Sequence, residues 1–294
     1  FKGKLPWDVK QLGREYDEHT LRQMRKALIE KFQGNDYQPS KENVAEAIQT
    51  LSKQHPFNPV KEYLAGVQWD GETRINSLFS VGFGCPEDEY TRAVSRAFVI
   101  GAEDRAHKPG CKLDEMPVLQ GPQGVGKSTG IRALFGEPWF SDAELGRLDA
   151  KDAVLGLAGH WAHEFAELNG WKKTEAETLK SFLSRQVDEV RKPYAREVER
   201  FPRRCVFIGT TNAGGYLADS TGGRRFWPLR MEDGARVDLM WLRGNRDQLW
   251  AEAYASFCDG EPWTLPQHLW SEATDRQKAE TVEDPWADTL HRCW

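Results

Sequence analysis

The chain has 294 residues, with 40 Lys and Arg against 45 Asp and Glu, a formal net charge of -5. That length holds one large domain or two ordinary ones and buries a core without metals or disulfides. The charge balance excludes a wholly basic nucleic-acid coat while leaving room for a local basic patch.

The 39% hydrophobic and 29% charged fractions exclude wholesale disorder. No apolar run reaches the roughly 18 residues of a membrane-spanning helix, and no charged head with an apolar core marks a signal peptide. Five widely spaced cysteines, Cys85, Cys111, Cys205, Cys258 and Cys293, form no C-x-x-C pair. They point to a reducing, cytoplasmic setting rather than to a disulfide framework or zinc knuckle. The chain carries twelve tryptophans. Trp7, Trp69, Trp263, Trp270 and Trp286 sit beside polar or turn residues and are expected to pack small subdomains and interfaces.

Residues 1–110 read as a helical N-terminal region. Leu21, Met24, Leu28 and Phe32 recur at helical spacing, as do Val44, Ala47, Ile48 and Leu51. Asn58-Pro59 is a helix start, Trp69-Asp70-Gly71 a turn, and Tyr90, Val94, Ala97, Phe98 and Gly101 a further helix. From 111 to 236 short apolar runs at 116–119, 159–165, 205–209 and 226–229 alternate with helical segments. This predicts an α/β domain with a largely parallel sheet. Residues 237–294 return to helical spacing. Asp284-Pro285-Trp286 near their end reads as the opening of a further domain.

Gly121-Pro122-Gln123-Gly124-Val125-Gly126-Lys127-Ser128 fits G-x-x-x-x-G-K-[ST] without a mismatch. It lies between a strand candidate and a helix candidate that Gly136 would end. Glycines let backbone N–H groups turn toward phosphate oxygens, and the helix N-terminus adds favourable partial charge. Lys127 would reach the β/γ-phosphates and Ser128 would hold Mg²⁺.

A phosphoryl-transfer site also needs an acid for the metal shell and one to polarise water. Glu164 and Glu167 are the acids on or at the end of the apolar segment 159–165. They are assigned jointly, with Glu167 favoured as water activator. A His160, His163 and Glu164 metal cluster is the rival reading; it is disfavoured because strand residues three apart point to opposite faces.

Thr174 to Glu177 fits a capping box. Between Lys180 and Arg204 fall eight basic residues and four acids, net +4. Strands at 187–190 and 197–201 would form a hairpin with residues 192–196 at its tip. Arg191, Lys192 and Arg196 there suit a phosphate backbone read without sequence preference; the alternative is a solvated charged hairpin. Next, Val206 to Asn212 is a buried strand ending in a polar triplet, and Asn212 could orient the attacking water. Arg224-Arg225, after Gly222-Gly223, are candidates for stabilising the transferring phosphoryl group.

Taken together these motifs resemble the virulence-associated protein E family of phage and mobile-element ATPases, related to superfamily 3 helicases and primase-helicases. The residues that carry the resemblance are Tyr63-Leu64 with Trp69-Asp70-Gly71-Glu72-Thr73-Arg74, Pro109-Gly110-Cys111-Lys112-Leu113-Asp114, the stretch from Leu119 to Thr129, Glu164-Phe165-Ala166-Glu167-Leu168, Arg191-Lys192-Pro193-Tyr194, Thr210-Thr211-Asn212, Arg224-Arg225-Phe226-Trp227-Pro228 and Gln248-Leu249-Trp250-Ala251-Glu252-Ala253. Two features depart from the family's pattern. The acids are three apart rather than adjacent, and His163 stands where an apolar residue is expected.

The resemblance implies an AAA+-like ATPase core using ATP and Mg²⁺, with residues 121 to 129, including Thr129, binding nucleotide. It implies Glu164 and Glu167 as the acidic motif, Asn212 as sensor, and Arg224 or Arg225 as a finger. It further implies a hexameric ring acting as a helicase on single-stranded or forked DNA, a primase or other replication protein as partner, no membrane, and the cytoplasm of a bacterial or phage-infected cell. An ATPase switch or loader without unwinding is the alternative. A small-molecule P-loop kinase would leave Asn212, Arg224 and Arg225 unexplained.

Overall fold

The computed structural model describes residues 17–32, 38–54, 57–168, 173–191, 198–212, 214–217 and 223–281. The chain divides into two compact units, 1–63 and 64–294. In the first, α1 (Glu18–Lys31) and α2 (Lys41–Gln54) meet through Leu21, Met24 and Val44. The Asp17 carboxylate caps α1, accepting from the Thr20 amide at 2.7 Å. Asn58 caps α3 (Pro59–Gly66) as its sequence predicts, accepting from the Val60 amide at 3.0 Å.

The second unit holds the sheet. Its elements are α4 (Glu89–His107), β1 (Met116–Gln120), α5 (Lys127–Phe135), β2 (Phe140–Ser141), α6 (Lys151–Gly156), β3 (Ala162–Phe165), α7 (Lys173–Leu183), β4 (Val187–Val190), β5 (Glu199–Pro202), β6 (Val206–Thr211), β7 (Phe226–Arg230), α8 (Leu239–Cys258) and α9 (Trp270–Ala279). Five strands form a parallel sheet in the order β2-β3-β6-β1-β7. Buried on both faces, the central strands β1 and β6 read as near-continuous apolar runs. Aromatic rings of β3, β6 and α7 (Phe165, Phe207 and Phe182) pack together in one core cluster. Elsewhere Trp161 and Trp250 lie 4.1 Å apart between ring centroids, with Phe135 against both. Their indole N–H groups donate to the carbonyls of Ala102 and Leu134. This is the α/β fold the alternation of runs predicts; the two-residue β2 was too short to be anticipated.

Two of the family-like motifs meet in this unit. The Arg74 guanidinium donates to both Asp70 oxygens at 2.7 and 2.8 Å and to Asn245 of α8 at 3.0 Å. The buried Glu252 carboxylate, also on α8, accepts from the Arg74 and Ile75 amides at 2.5 and 2.9 Å. The Trp-Asp-Gly-Glu-Thr-Arg turn therefore docks against α8.

Several expectations change. The division at 63/64 puts α4 in one unit with the sheet, although the helical N-terminal region was expected to run to residue 110; α8 and α9 belong to that unit too. Thr174 lies inside α7, which starts at Lys173, so it does not cap that helix. The tryptophans of the core are Trp161, Trp227 and Trp250, whereas Trp69 and Trp270 are exposed; Trp7 and Trp286 lie outside the described residues.

The β4–β5 hairpin forms, pairing Val187 with Pro202 and Val190 with Glu199. Two cations counted toward its basic run are buried, namely Lys180 and Arg203. Arg203 gives Asp188 a two-pronged contact at 2.6 and 2.9 Å, donates to the Phe182 carbonyl, and stacks 4.2 Å over the Phe182 ring. Its charge is spent inside the protein, anchoring the hairpin's base.

Candidate nucleotide site

The G-x-x-x-x-G-K-S segment connects β1 to α5, as its chemistry requires. Gly126 caps α5 with φ +97°, a conformation that disfavours any side chain. Gly121 passes so close to Met231 that a Cβ there would lie 2.6 Å from the sulfur. Its amide donates to the Thr211 carbonyl at 3.1 Å, tying the loop to β6.

Lys127 is folded into the loop. Its Nζ donates to the carbonyls of Gly121 at 2.5 Å and Pro122 at 2.9 Å and to Asn212 Oδ1 at 3.1 Å. Burial lowers the pKa of this ammonium, and the Glu164 charge partly offsets that. Asn212, predicted as a sensor, is thus within reach of Lys127.

Glu164 lies at the centre of the site. Buried on β3, its Oε1 accepts from Ser128 Oγ at 2.7 Å and from Thr210 Oγ1 at 2.6 Å. Its Oε2 is buried without a hydrogen-bond partner. Desolvation raises its pKa, opposed by the two hydroxyl donors. An orphaned carboxylate oxygen beside a serine hydroxyl fits a hard divalent cation, which takes one or two carboxylates and completes its shell with water and phosphate oxygens. The described residues contain no group of three or more His, Cys, Asp or Glu arranged for a metal, as a site of that kind does not require one.

Glu167 is exposed at the C-terminal end of β3 and has φ +53°, the left-handed region that non-glycine residues seldom occupy. The structure brings Glu164, rather than Glu167, to Ser128. His163 points away from this site, edge-on to Phe165 and Phe207. Burial drives its pKa down to about 4. It is a neutral core residue here, and it forms no cluster with His160, whose Nδ1 contacts the Gly156 carbonyl.

The arginine pair is placed elsewhere. Arg224 and Arg225 precede β7, and β7 runs parallel to β1 with Phe226 beside Met116 and Arg230 beside Gln120. At about 3.3 Å per residue they sit roughly 15 Å from the phosphate-loop edge, at the sheet's other end. Arg225 donates to Ser184 Oγ at 2.9 Å, and Arg224 is exposed. Among the hairpin cations, Arg191 is exposed at the end of β4; Lys192 and Arg196 lie outside the described residues.

The sequence reading named Thr210 only as part of the polar triplet and did not pair it with Glu164. The available signal was alternation on a strand, which puts Thr210 and Asn212 on one face.

A family model described as the virulence-associated protein E-like domain matches residues 64–282. Two apo structures of the NrS-1 C-terminal region share the fold, each at 14% identity, covering 80% of this chain and 57% of theirs, with TM-scores of 0.51 and 0.54. The chain therefore spans less than two thirds of those structures. No curated protein matches the sequence. No helix among the described residues is long and apolar enough to cross a membrane.

Proposed function

We propose, given that this chain belongs to the virulence-associated protein E-like domain family, that it is a Mg²⁺-dependent ATPase motor that forms a ring and moves on DNA during replication. The observation that carries the reading is the single cluster of Lys127, Ser128, Glu164 and Asn212 around the phosphate loop.

On this reading Lys127 would exchange its carbonyl and Asn212 partners for the β/γ-phosphates, and Ser128 would turn its hydroxyl from Glu164 to the cation. Residues 121 to 129 would hold the triphosphate through backbone amides. Bound Mg²⁺ would supply charge neutralisation at the phosphoryl oxygens. Glu164 would hold the cation's shell. Glu167, at the same sheet edge, is the candidate water activator, and Asn212, released from Lys127, orients the water. Arg224 or Arg225 serves a neighbouring subunit's site, because neither reaches the phosphate loop of its own chain. The tip between β4 and β5, with Arg191, Lys192 and Arg196, contacts the DNA backbone.

The test is ATPase rate against single-stranded DNA concentration, with assembly mass measured in the same buffer with and without ATP. Stimulation by DNA together with an ATP-dependent ring supports the motor. DNA-indifferent hydrolysis by a monomer contradicts it and favours a switch or loader.

A further inference from the structure

We propose that Thr210 is the positioning residue that fixes the Glu164 carboxylate in the orientation the cation site needs. The inference rests on the nucleotide-site reading above and goes one step beyond it. Glu164 Oε1 receives two hydroxyl donors, Thr210 at 2.6 Å and Ser128 at 2.7 Å, while Oε2 receives none. Pinning one oxygen sets the rotation of the carboxylate and commits the other oxygen to whatever enters the site.

The two donors differ in what holds them. Ser128 lies in the first turn of α5, and its hydroxyl is needed at the cation once nucleotide is bound. Thr210 is buried near the end of β6, between β1 and β3. Its backbone is registered against Leu119, and its carbonyl accepts from the Leu168 amide at 3.3 Å. Its branched side chain has few rotamers. When Ser128 leaves Glu164, Thr210 remains as the fixed donor. Two residues on, the same strand presents Asn212 to Lys127 at 3.1 Å. One strand thus sets both the acid and the lysine of the site. A residue that orients a metal-shell carboxylate typically affects metal affinity or activity 10–100-fold, at roughly that scale, when removed.

The experiment compares the wild-type chain with Thr210→Val, which keeps the shape and removes the hydroxyl, and Thr210→Ser, which keeps the hydroxyl. A fluorescent ATP analogue is titrated with Mg²⁺ and with EDTA, Mn²⁺ binding to the nucleotide complex is followed by electron paramagnetic resonance, and kcat and KM are measured alongside. The expected result for Thr210→Val is unchanged affinity in EDTA, Mn²⁺ binding weaker by about 10-fold or more, and kcat reduced about 10–100-fold with KM little changed. Thr210→Ser is expected to restore most of each.

A Thr210→Val protein with wild-type Mn²⁺ binding and kcat overturns the proposal. Equal losses in Thr210→Val and Thr210→Ser, with a lowered melting temperature in both, overturn it as well, since packing alone then explains them. Failure of the wild type to bind the analogue, or indifference of its binding to Mg²⁺, marks failure of the nucleotide-site reading itself, and the role of Thr210 falls with it.

Discussion

Replacing Asp188 with alanine removes both carboxylate acceptors of Arg203. The Arg203 and Asp188 side chains are 1% and 3% exposed, and their contacts are 2.6 and 2.9 Å. The Phe182 carbonyl and ring would still hold the guanidinium, but its Nε and Nη2 would face no acceptor. Breaking a buried pair from one side costs about 3–5 kcal/mol, because the remaining charge stays out of water. For a unit of this size, roughly 2–4 °C per kcal/mol puts the loss in melting temperature at about 6–20 °C.

The assay is thermal and urea unfolding of wild type, Asp188→Ala, and a double variant, Asp188→Leu with Arg203→Met. The double variant should recover most of the loss, since replacing both partners with apolar groups of similar size is often close to neutral. An Asp188→Ala protein within about 1 kcal/mol of wild type would refute the reasoning. A double variant as unstable as the single one would refute it too, by showing that packing rather than an uncompensated charge carries the cost.

Other expected outcomes follow from the same geometry. A variant carrying both Arg224→Ala and Arg225→Ala, and a Glu164→Ala variant, should each be inactive alone, and mixing them should restore measurable hydrolysis; mixtures as inactive as the parents would remove the arginines from a neighbouring site. Lys192→Ala with Arg196→Ala should weaken DNA binding and lower its salt slope by about two, and an unchanged slope would take the hairpin tip out of the interface. Glu103, wholly buried on α4 with His107 Nε2 at 3.3 Å, has its pKa pushed up from 4.5 to about 7 by desolvation. Its folded form holds a proton that the unfolded form releases, so its contribution is complete below about pH 4.5 and is lost as pH rises through 7, a swing of about 3 kcal/mol. Urea unfolding of Glu103→Gln should therefore gain on wild type between pH 5 and pH 8, whereas parallel profiles would show that Glu103 titrates normally.

The parts legible in the sequence were those whose chemistry fixes contiguous residues. The G-x-x-x-x-G-K-S pattern sets glycines, a lysine and a hydroxyl at fixed spacing, so the turn from β1 into α5 at Gly121 to Ser128 could be placed without knowing any neighbour. The β4–β5 hairpin was legible from its two short runs, and the strands β1, β3, β6 and β7 from apolar length. What stayed hidden depended on pairing across the chain. Glu164 could be separated from Glu167 only by knowing that β3 lies two strands from β1 and delivers residue 164 to Ser128. Thr210 reaches Glu164 only because β6 lies between β3 and β1. Arg203 looked like surface charge because a count along the chain cannot register that Asp188 faces it across the hairpin. Arg224 and Arg225 read correctly as a pair before a strand, but their distance from the loop follows from the parallel register of β7 on β1.

The central claim is that residues 121 to 129 and Glu164 form a nucleotide site, and equilibrium binding of a fluorescent ATP analogue to wild type and Lys127→Ala tests it most directly, with hydrolysis followed in the same samples. The account predicts saturable, Mg²⁺-strengthened binding and turnover by wild type. In Lys127→Ala, which removes the one cation placed inside the loop, hydrolysis should be abolished and binding weakened by about tenfold or more. Wild-type turnover in Lys127→Ala, or no nucleotide binding by the wild-type chain, would contradict it.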